Sequence, residues 1–260
     1  MAALKLLVIA AAGGLGRQVV REALARGHSV SVLVRAPAKL EAALGPDVVA
    51  RLAGVHAGDG GSVASIVAAA AGADAIISAG PPIPANARAL GEACKASGAC
   101  HKVVWTAGAS NILEADGVTP HHLAFGPQGM NYYKVRPRRR RAAASVITSA
   151  NPRSTAPPRH HYPSLDVGSL LVCLQAHAPC IAALLETKAP YVIWCPGYMK
   201  SVGKKSASPV AISTRAIKGS AKVSDFVSYE DAADAIVRAV EVDAYVGEHI
   251  TALSEHAQEL

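Results

Sequence analysis

The sequence has no C-x-x-C pair, and its five cysteines (Cys94, Cys100, Cys173, Cys180 and Cys195) leave an odd number. Both features argue against a disulfide framework and against a zinc site, and point to a reducing, cytoplasmic compartment. No metal site is expected. Aromatic residues are scarce at 4% and charged residues at 17%, whereas apolar residues fill 51% of the 260 positions. That balance excludes disorder as the dominant state and suits one large globular domain, or a domain carrying an insertion. The apolar beginning, Met1 to Ala12, is broken by Lys5 and falls far short of the roughly 20 residues a spanning helix needs. A secretory signal would place a basic region before the run and a cleavage site after it, whereas this run passes directly into a glycine-rich turn. It therefore reads as a buried strand of a soluble protein, with no membrane association expected.

Acidic residues are also few, 19 against 26 basic ones, for a formal charge of +7. Lys134, Arg136 and Arg138 to Arg141 supply six of those charges within eight positions, and without them the balance is +1. The excess is a local patch and implies no general affinity for nucleic acid.

Up to about Thr106 the chain alternates short β-rich runs with amphipathic helical stretches, which predicts an α/β fold: a doubly wound parallel sheet with helices on both faces. Strands are expected at Lys5 to Ala10, Ser29 to Val34, Val48 to Val55, Ala73 to Ser78 and Lys102 to Thr106, with a sixth at Tyr191 to Cys195. Val20, Ala23, Leu24 and Gly27 fall at helical spacing, and Gly27 stands where a helix terminates. Residues 114 to 166 break the pattern with an arginine run, several prolines between Pro120 and Pro163, and paired histidines at 121/122 and 160/161. This segment reads as an insertion or lid. A helix follows from near Val167 to about Lys188. Near the end Ser228-Tyr-Glu-Asp231 has the form of a capping box, and Ala233, Ile236, Val237 and Val240 make an apolar stripe.

The strongest signal for chemistry is Leu6-Leu-Val-Ile-Ala10-Ala-Ala12-Gly13-Gly14-Leu15-Gly16-Arg17, a buried strand running into a glycine-rich turn and a helix. Glycine at 13 lets the backbone approach a pyrophosphate, glycine at 16 lets the helix pack on the strand, and the helix N-terminus offers free N–H groups. The bland alternative is a tight turn between packed elements. Ala10 occupies the first glycine position of the G-x-x-G-x-x-G spacing, and a positive φ there would cost roughly 1 kcal/mol. At the end of the second strand, where an acidic residue would hold the ribose hydroxyls of NAD, the chain has Arg35, with Lys39 one turn later. Arginine there suits the 2′-phosphate of NADP(H). A solvated surface arginine is the competing reading.

The turn Ala10 to Gly16, the strand end Val32 to Arg35, Gly58-Asp59, Gly72 to Ser78 and Val103 to Gly108 resemble atypical short-chain dehydrogenase/reductases of the NAD(P)H-binding, NmrA-like type. Ala176-His177, Leu184-Leu185, Tyr191-Val192, Pro196-Gly197, Val223-Ser, Asp231 and Asp243 to Gly247 are similar to the biliverdin reductase B, or flavin reductase, branch. The resemblance implies a Rossmann reductase that passes hydride from NADPH to a planar acceptor such as a flavin, a linear tetrapyrrole or a quinone. It assigns Gly13, Gly14 and Gly16 to the pyrophosphate, Arg35 and Lys39 to the 2′-phosphate and Asp59 to the adenine, with Ala10, Ala12, Leu15 and Gly58 also in the cofactor-binding set. It assigns Ala79, Gly80 and Pro196 to the rest of the cofactor. Thr106 would lie beside the nicotinamide, and His177 would orient the acceptor or deliver a proton, with Ala176 replacing the family's aspartate. An ordinary strand-end threonine and an ordinary helix histidine are the competing readings.

The chain has Tyr132-Tyr133-Lys134 and no Tyr-x-x-x-Lys, which disfavours alcohol or ketone chemistry. The alternative function is a non-catalytic dinucleotide sensor that binds partner proteins. Through Arg136 to Arg141 a nucleic-acid surface is a minority expectation, a solvated loop the main one. The protein is expected as a monomer or weak dimer.

Overall fold

A computed structural model of the protein describes residues 2–120, 167–217 and 226–254. Seven strands form one parallel sheet in the order β3-β2-β1-β4-β5-β6-β9. They are β1 (Lys5–Ile9), β2 (Ser29–Val34), β3 (Gly54–Ala57), β4 (Ala75–Ser78), β5 (Lys102–Thr106), β6 (Tyr191–Trp194) and β9 (His249–Ile250). A second, two-stranded parallel ladder joins β7 (Tyr198–Lys200) to β8 (Phe226–Ser228). The helices are α1 (Gly14–Ala25), α2 (Ala38–Leu44), α3 (Pro46–Val49), α4 (Val63–Ala69), α5 (Pro84–Ser97), α6 (Val167–Glu186) and α7 (Tyr229–Glu241). The order changes direction between β1 and β4, the place where doubly wound sheets open a crevice beyond their strands.

The strands read as continuous apolar runs because both faces are covered, and alternate residues serve opposite layers. Leu6 and Val8 pack with Val19, Val20 and Ala23 of α1 and Ile236, Val237 and Val240 of α7. Leu7 and Ile9 pack with Ile66 of α4, Leu90 and Cys94 of α5, and Leu184 of α6. Trp105 and Trp194 fill opposite layers and are both fully buried. Gly27, with φ +83°, ends α1 in the left-handed region, and its N–H reaches Leu24 O.

The two helices on the α1 face are also linked by charge. Arg26 donates to both oxygens of Glu241 at 2.8 and 2.6 Å. Leu4 N donates to His28 Nδ1, and His28 Nε2 meets Glu241 at 3.0 Å, so the neutral imidazole carries its proton on Nε2. At the other edge buried Lys102 bonds Val240 O, Val242 O and Asp243 Oδ1, so its ammonium closes the C-terminus of α7.

Three expectations need correction. The strand expected at 48–55 starts six residues later, at Gly54, and runs to Ala57 as β3: Gly45, at φ +87°, and Pro46 start the short helix α3, which takes Val48 and Val49. Turn geometry overrides β propensity there. The sheet also has a seventh strand, β9, two residues long, too short to leave a pattern. Asp231 does not complete a reciprocal capping box. Ser228 Oγ accepts from Asp231 N at 2.9 Å, but the Asp231 carboxylate turns to Ser206 and Ser254, and Ser228 N goes to Ser254 Oγ.

The expected insertion begins as an ordered turn, in which Asp116 accepts from Val118 N and Thr119 N and the chain returns to bridge Leu113 with Pro120. The Thr119 hydroxyl and these N–H groups hold the Asp116 carboxyl down at about 2. The arginine run, the two tyrosines, the paired histidines and Val223-Ser lie outside the described residues. Among the described residues no helix is long and apolar enough to cross a membrane. Replacing Ser228 with Ala removes the one side-chain cap of α7, and is expected to lower the unfolding free energy by about 1 kcal/mol, read by denaturant titration.

Candidate dinucleotide site

Register brings the site together. Leu33 of β2 and Ser78 of β4 both pair with Ile9 of β1, and Ser78 pairs with Trp105 of β5. The residues just beyond, Val34, Ala10, Ala79 and Thr106, therefore stand at the same edge of the sheet along a row three strand spacings wide, about 14 Å, and Arg35 follows one residue past it. Pro196 extends the row past β6, where Thr106 pairs with Trp194.

Ala10 adopts φ +63°. The chain thus bears the left-handed conformation at the first glycine position with an alanine. Gly13 N donates to Ala10 O at 3.0 Å, and the first helical bond of α1 runs from Arg17 N to Gly13 O. The N–H groups of Gly14, Leu15 and Gly16 precede that bond, no side chain caps the helix and no acid stands in its first turn. A Cβ on Gly16 would lie 2.3 Å from Ala10 O, and one on Gly13 3.2 Å from the same atom. Helix α1 is pressed against the strand end as closely as backbone allows, which aims its positive end at the crevice.

The loops after β3 and β4 close on this turn. A Cβ on Gly60 would meet Ile9 Cγ2 at 2.9 Å, and one on Gly80 would lie 3.8 Å from Ala10 Cβ. Asp59 is exposed beside half-buried Gly58, and its Oδ1 accepts from Gly61 N. Arg35 and Lys39 are both exposed, with no hydrogen bond or ion pair among the described residues. The Thr106 hydroxyl donates to Ser78 O at 2.9 Å, so its proton is engaged by the neighbouring strand and only its lone pairs face outward.

His177 lies in α6. That helix ends at Glu186 and feeds β6, so it runs antiparallel to the strands. Nine residues at a rise of about 1.5 Å put His177 some 13 Å along the helix axis from its end. The same helix contacts the turn Ala109–Asn111 that follows β5. His177 Nδ1 is buried and has no partner among the described residues, and burial pushes the imidazole below its ordinary value. A histidine so shifted is neutral at pH 7. It can accept or donate one hydrogen bond to a ligand, but it is a poor source of a proton.

Two residues of the turn's surroundings escaped the sequence reading. Arg17 has a buried Nε without a partner among the described residues. Arg21, one turn on along the same helix face, donates to Leu44 O at the end of α2, so Arg17 lies toward α2, the helix that carries Lys39. A basic residue directly after the third glycine position was the available signal. Tyr229 is the other: a Cβ on Gly14 would strike its ring at 2.7 Å. No spacing rule links residues 14 and 229. Glu230 and Asp231 beside it bind the loop after β7 through Ser201 Oγ, Val202 N, Gly203 N and Ser206 N.

The glycine cradle, the uncapped helix N-terminus at a topological switch point and the unpartnered guanidinium nitrogen fit a phosphorylated dinucleotide. No group of His, Cys, Asp and Glu among the described residues is arranged to hold a metal ion. These features define a dinucleotide-binding Rossmann protein. The family model described as NAD(P)H-binding matches residues 10–151, and the chain belongs to that family. A comparison with curated proteins gave no significant match.

Among solved structures, the protein is similar to one from Bacteroides thetaiotaomicron whose name proposes an epimerase. The TM-score is 0.66 at 19% identity, over 97% of this chain and 98% of that one. It is similar to a wide-type short-chain dehydrogenase/reductase from Veillonella parvula in complex with NADP (TM-score 0.64, 13% identity, 98% and 97% coverage). It is also similar to a protein from Streptococcus pneumoniae whose name proposes an NADH-flavin reductase (0.59, 18%, 97% and 100%). At these identities the likeness is one of fold.

Gly16→Ala is expected to force the turn open and to abolish dinucleotide binding in calorimetry, while Gly27→Ala, whose added Cβ meets nothing within 4 Å, leaves binding intact. Burial also lowers the pKa of His249, against the opposing hydrogen bond to Asn111 O. Both histidines bind protons less readily folded than unfolded, so stability is expected to fall as pH drops below the unfolded value of about 6.5. Denaturant unfolding across that range should show the loss, and a His177→Gln, His249→Gln double variant should flatten it.

Proposed function

We propose that the protein is an NADPH-dependent reductase whose acceptor is a planar conjugated molecule: a flavin, a linear tetrapyrrole or a quinone. The observation that carries the cofactor preference is the end of β2. Arg35 and Lys39 stand there exposed and without acidic partners among the described residues, and Arg17 lies on the α1 face turned toward them. Three cations suit a 2′-phosphate, which a diphosphate alone would not require.

When bound, a reduced nicotinamide supplies the hydride. The chain's own part is to bind and position. Gly13, Gly14 and Gly16 hold the pyrophosphate by backbone N–H groups, and Asp59 borders the adenine. Ala79, Gly80 and Pro196 border the remainder, and Thr106 offers its oxygen at the nicotinamide end. His177, neutral and with a free ring nitrogen, orients the acceptor. A conjugated acceptor takes the developing charge into its own ring system, so positioning is the larger share of the catalysis and the missing Tyr-x-x-x-Lys is tolerable. The names of the streptococcal neighbour and of an oxidoreductase from Lactococcus lactis support a redox role.

A second reading is a dinucleotide sensor without turnover, acting as a monomer or weak dimer. Engagement of the Thr106 hydroxyl by Ser78 O favours it, because that proton is then not offered to a substrate.

Purified protein given NADPH with FMN, biliverdin or a small quinone, and NADH as control, is expected to consume the reduced nicotinamide with a clear NADPH preference. Tight NADPH binding without turnover of any acceptor would favour the sensor. Arg35→Ala is expected to weaken NADPH binding roughly tenfold or more and to leave NADH nearly unchanged, as loss of one charged hydrogen-bonding pair implies. Equal loss for both would refute the 2′-phosphate assignment.

A further inference from the structure

Helix α5 ends in a turn that folds two cysteines together. Gly98 takes φ +68°, Ser97 Oγ donates to Cys94 O at 2.9 Å, and Cys100 N donates to Ser97 Oγ at 3.2 Å. This returns the chain over the last turn of the helix. Cys94 Sγ donates to Cys100 O at 3.4 Å and Cys100 Sγ donates to Lys102 O at 3.3 Å, so the fold-back lays the two residues side by side. Cys94 is fully buried, whereas Cys100 is only half-buried and opens to solvent beside exposed His101.

The other described cysteines offer a contrast. Cys180 and Cys195 are buried and free, and burial pushes Cys180 up to about 11 and Cys195 higher still. At Cys100 the neighbouring Cys94 side chain and the backbone at Lys102 instead lower the thiol below its ordinary value against burial, whereas Cys94 is pushed up. Reactivity toward peroxide follows thiolate character and access together, and among the described cysteines Cys100 alone combines them.

We propose that Cys94 and Cys100 form a peroxide-sensitive dithiol, in which Cys100 is the attacking sulfur and Cys94 the resolving one. The Cys100 thiolate attacks one oxygen of a hydroperoxide. The O–O bond breaks, hydroxide or alkoxide leaves, and Cys100 becomes a sulfenic acid. The Cys94 sulfur then attacks the Cys100 sulfur, the S–O bond breaks, and water departs with the Cys94 proton. Two thiols give two electrons to the peroxide, and a disulfide remains.

The pair sits at the amino edge of β5, the strand end opposite Thr106, and His101 N bonds Asp74 O at the start of β4. A bond there ties the end of α5 to the sheet without touching the dinucleotide turn. Oxidation is therefore a modification of the scaffold, independent of hydride transfer.

The test treats the full-length reduced protein with a slight excess of hydrogen peroxide. The expected result is loss of two of the five thiols, a fall in mass of about 2 Da, and a tryptic species joining residues 89–95 to 96–102. Cleavage after Lys95 and Lys102 separates the two cysteines, so the cross-link is visible. In Cys94→Ser the sulfenic acid is expected to be trapped on Cys100 by a 1,3-diketone, and in Cys100→Ser the trap finds nothing in either peptide. An unchanged thiol count, first oxidation at Cys173, or disulfide-linked dimers in place of the internal cross-link would overturn the proposal. The wild-type measurement needs no variant to fold.

Discussion

Everything at the candidate site depends on one close approach, that of helix α1 to the end of β1. Gly16 leaves room for the Ala10 carbonyl where any side chain would collide, and Ala10 turns into the left-handed region to make the corner. Two consequences follow from that contact. The helix axis is aimed so that its unbonded N–H groups open at the switch between β1 and β4. The apolar side of α1 is also brought flat onto Leu6 and Val8, so the same turn that builds the anion site seats one layer of the core.

The charges sort by position along the strands. At the carboxyl edge the basic residues Arg17, Arg35 and Lys39 stand without acidic partners among the described residues, beside a helix start that lacks an acid. At the amino edge and along the α1–α7 seam, charge is compensated: Arg26 with Glu241 and Asp234, Lys102 with Asp243 and two carbonyls. A buried or seam charge needs its partner to offset desolvation, whereas an exposed cation can wait for a ligand's phosphate. Burial acts differently on His177. It disfavours the charged imidazole and leaves Nδ1 without a partner among the described residues.

Loop order at the C-terminal part of the site rests on two carboxylates. Glu230 and Asp231, at the start of α7, collect hydrogen bonds from Ser201 to Ser206 and from Ser254. Burial alone would raise Asp231, yet the bonds from Ser254 and Ser206 hold it below the ordinary carboxylate value. These contacts keep the loop after β7 against α1, where Gln18 also reaches Glu230, and they set Tyr229 on Gly14.

By itself the sequence determined the elements whose cause is local. The apolar run before the glycine turn, the i, i+3, i+4 stripe of α1, the Ser228 cap and the absence of an acid after β2 are each written within a few neighbouring residues, and each is found in the fold. The cradle of Gly13 and Gly16 was legible for the same reason, since one turn must meet one strand end. The misreading at 48–55 also has a local origin: β-branched residues resemble a strand until Gly45 and Pro46 impose a helix. What only the tertiary structure decided depends on elements far apart in the chain. The row Val34, Ala10, Ala79 and Thr106, with Arg35 just past it, exists because parallel register aligns four strands. The face of Arg17, the ring of Tyr229 over Gly14, the orphaned nitrogen of His177 and the two-residue strand β9 depend on packing between segments that share no sequence period. Periodicity records which face of an element is buried, and contains nothing about which distant side chain will cover it.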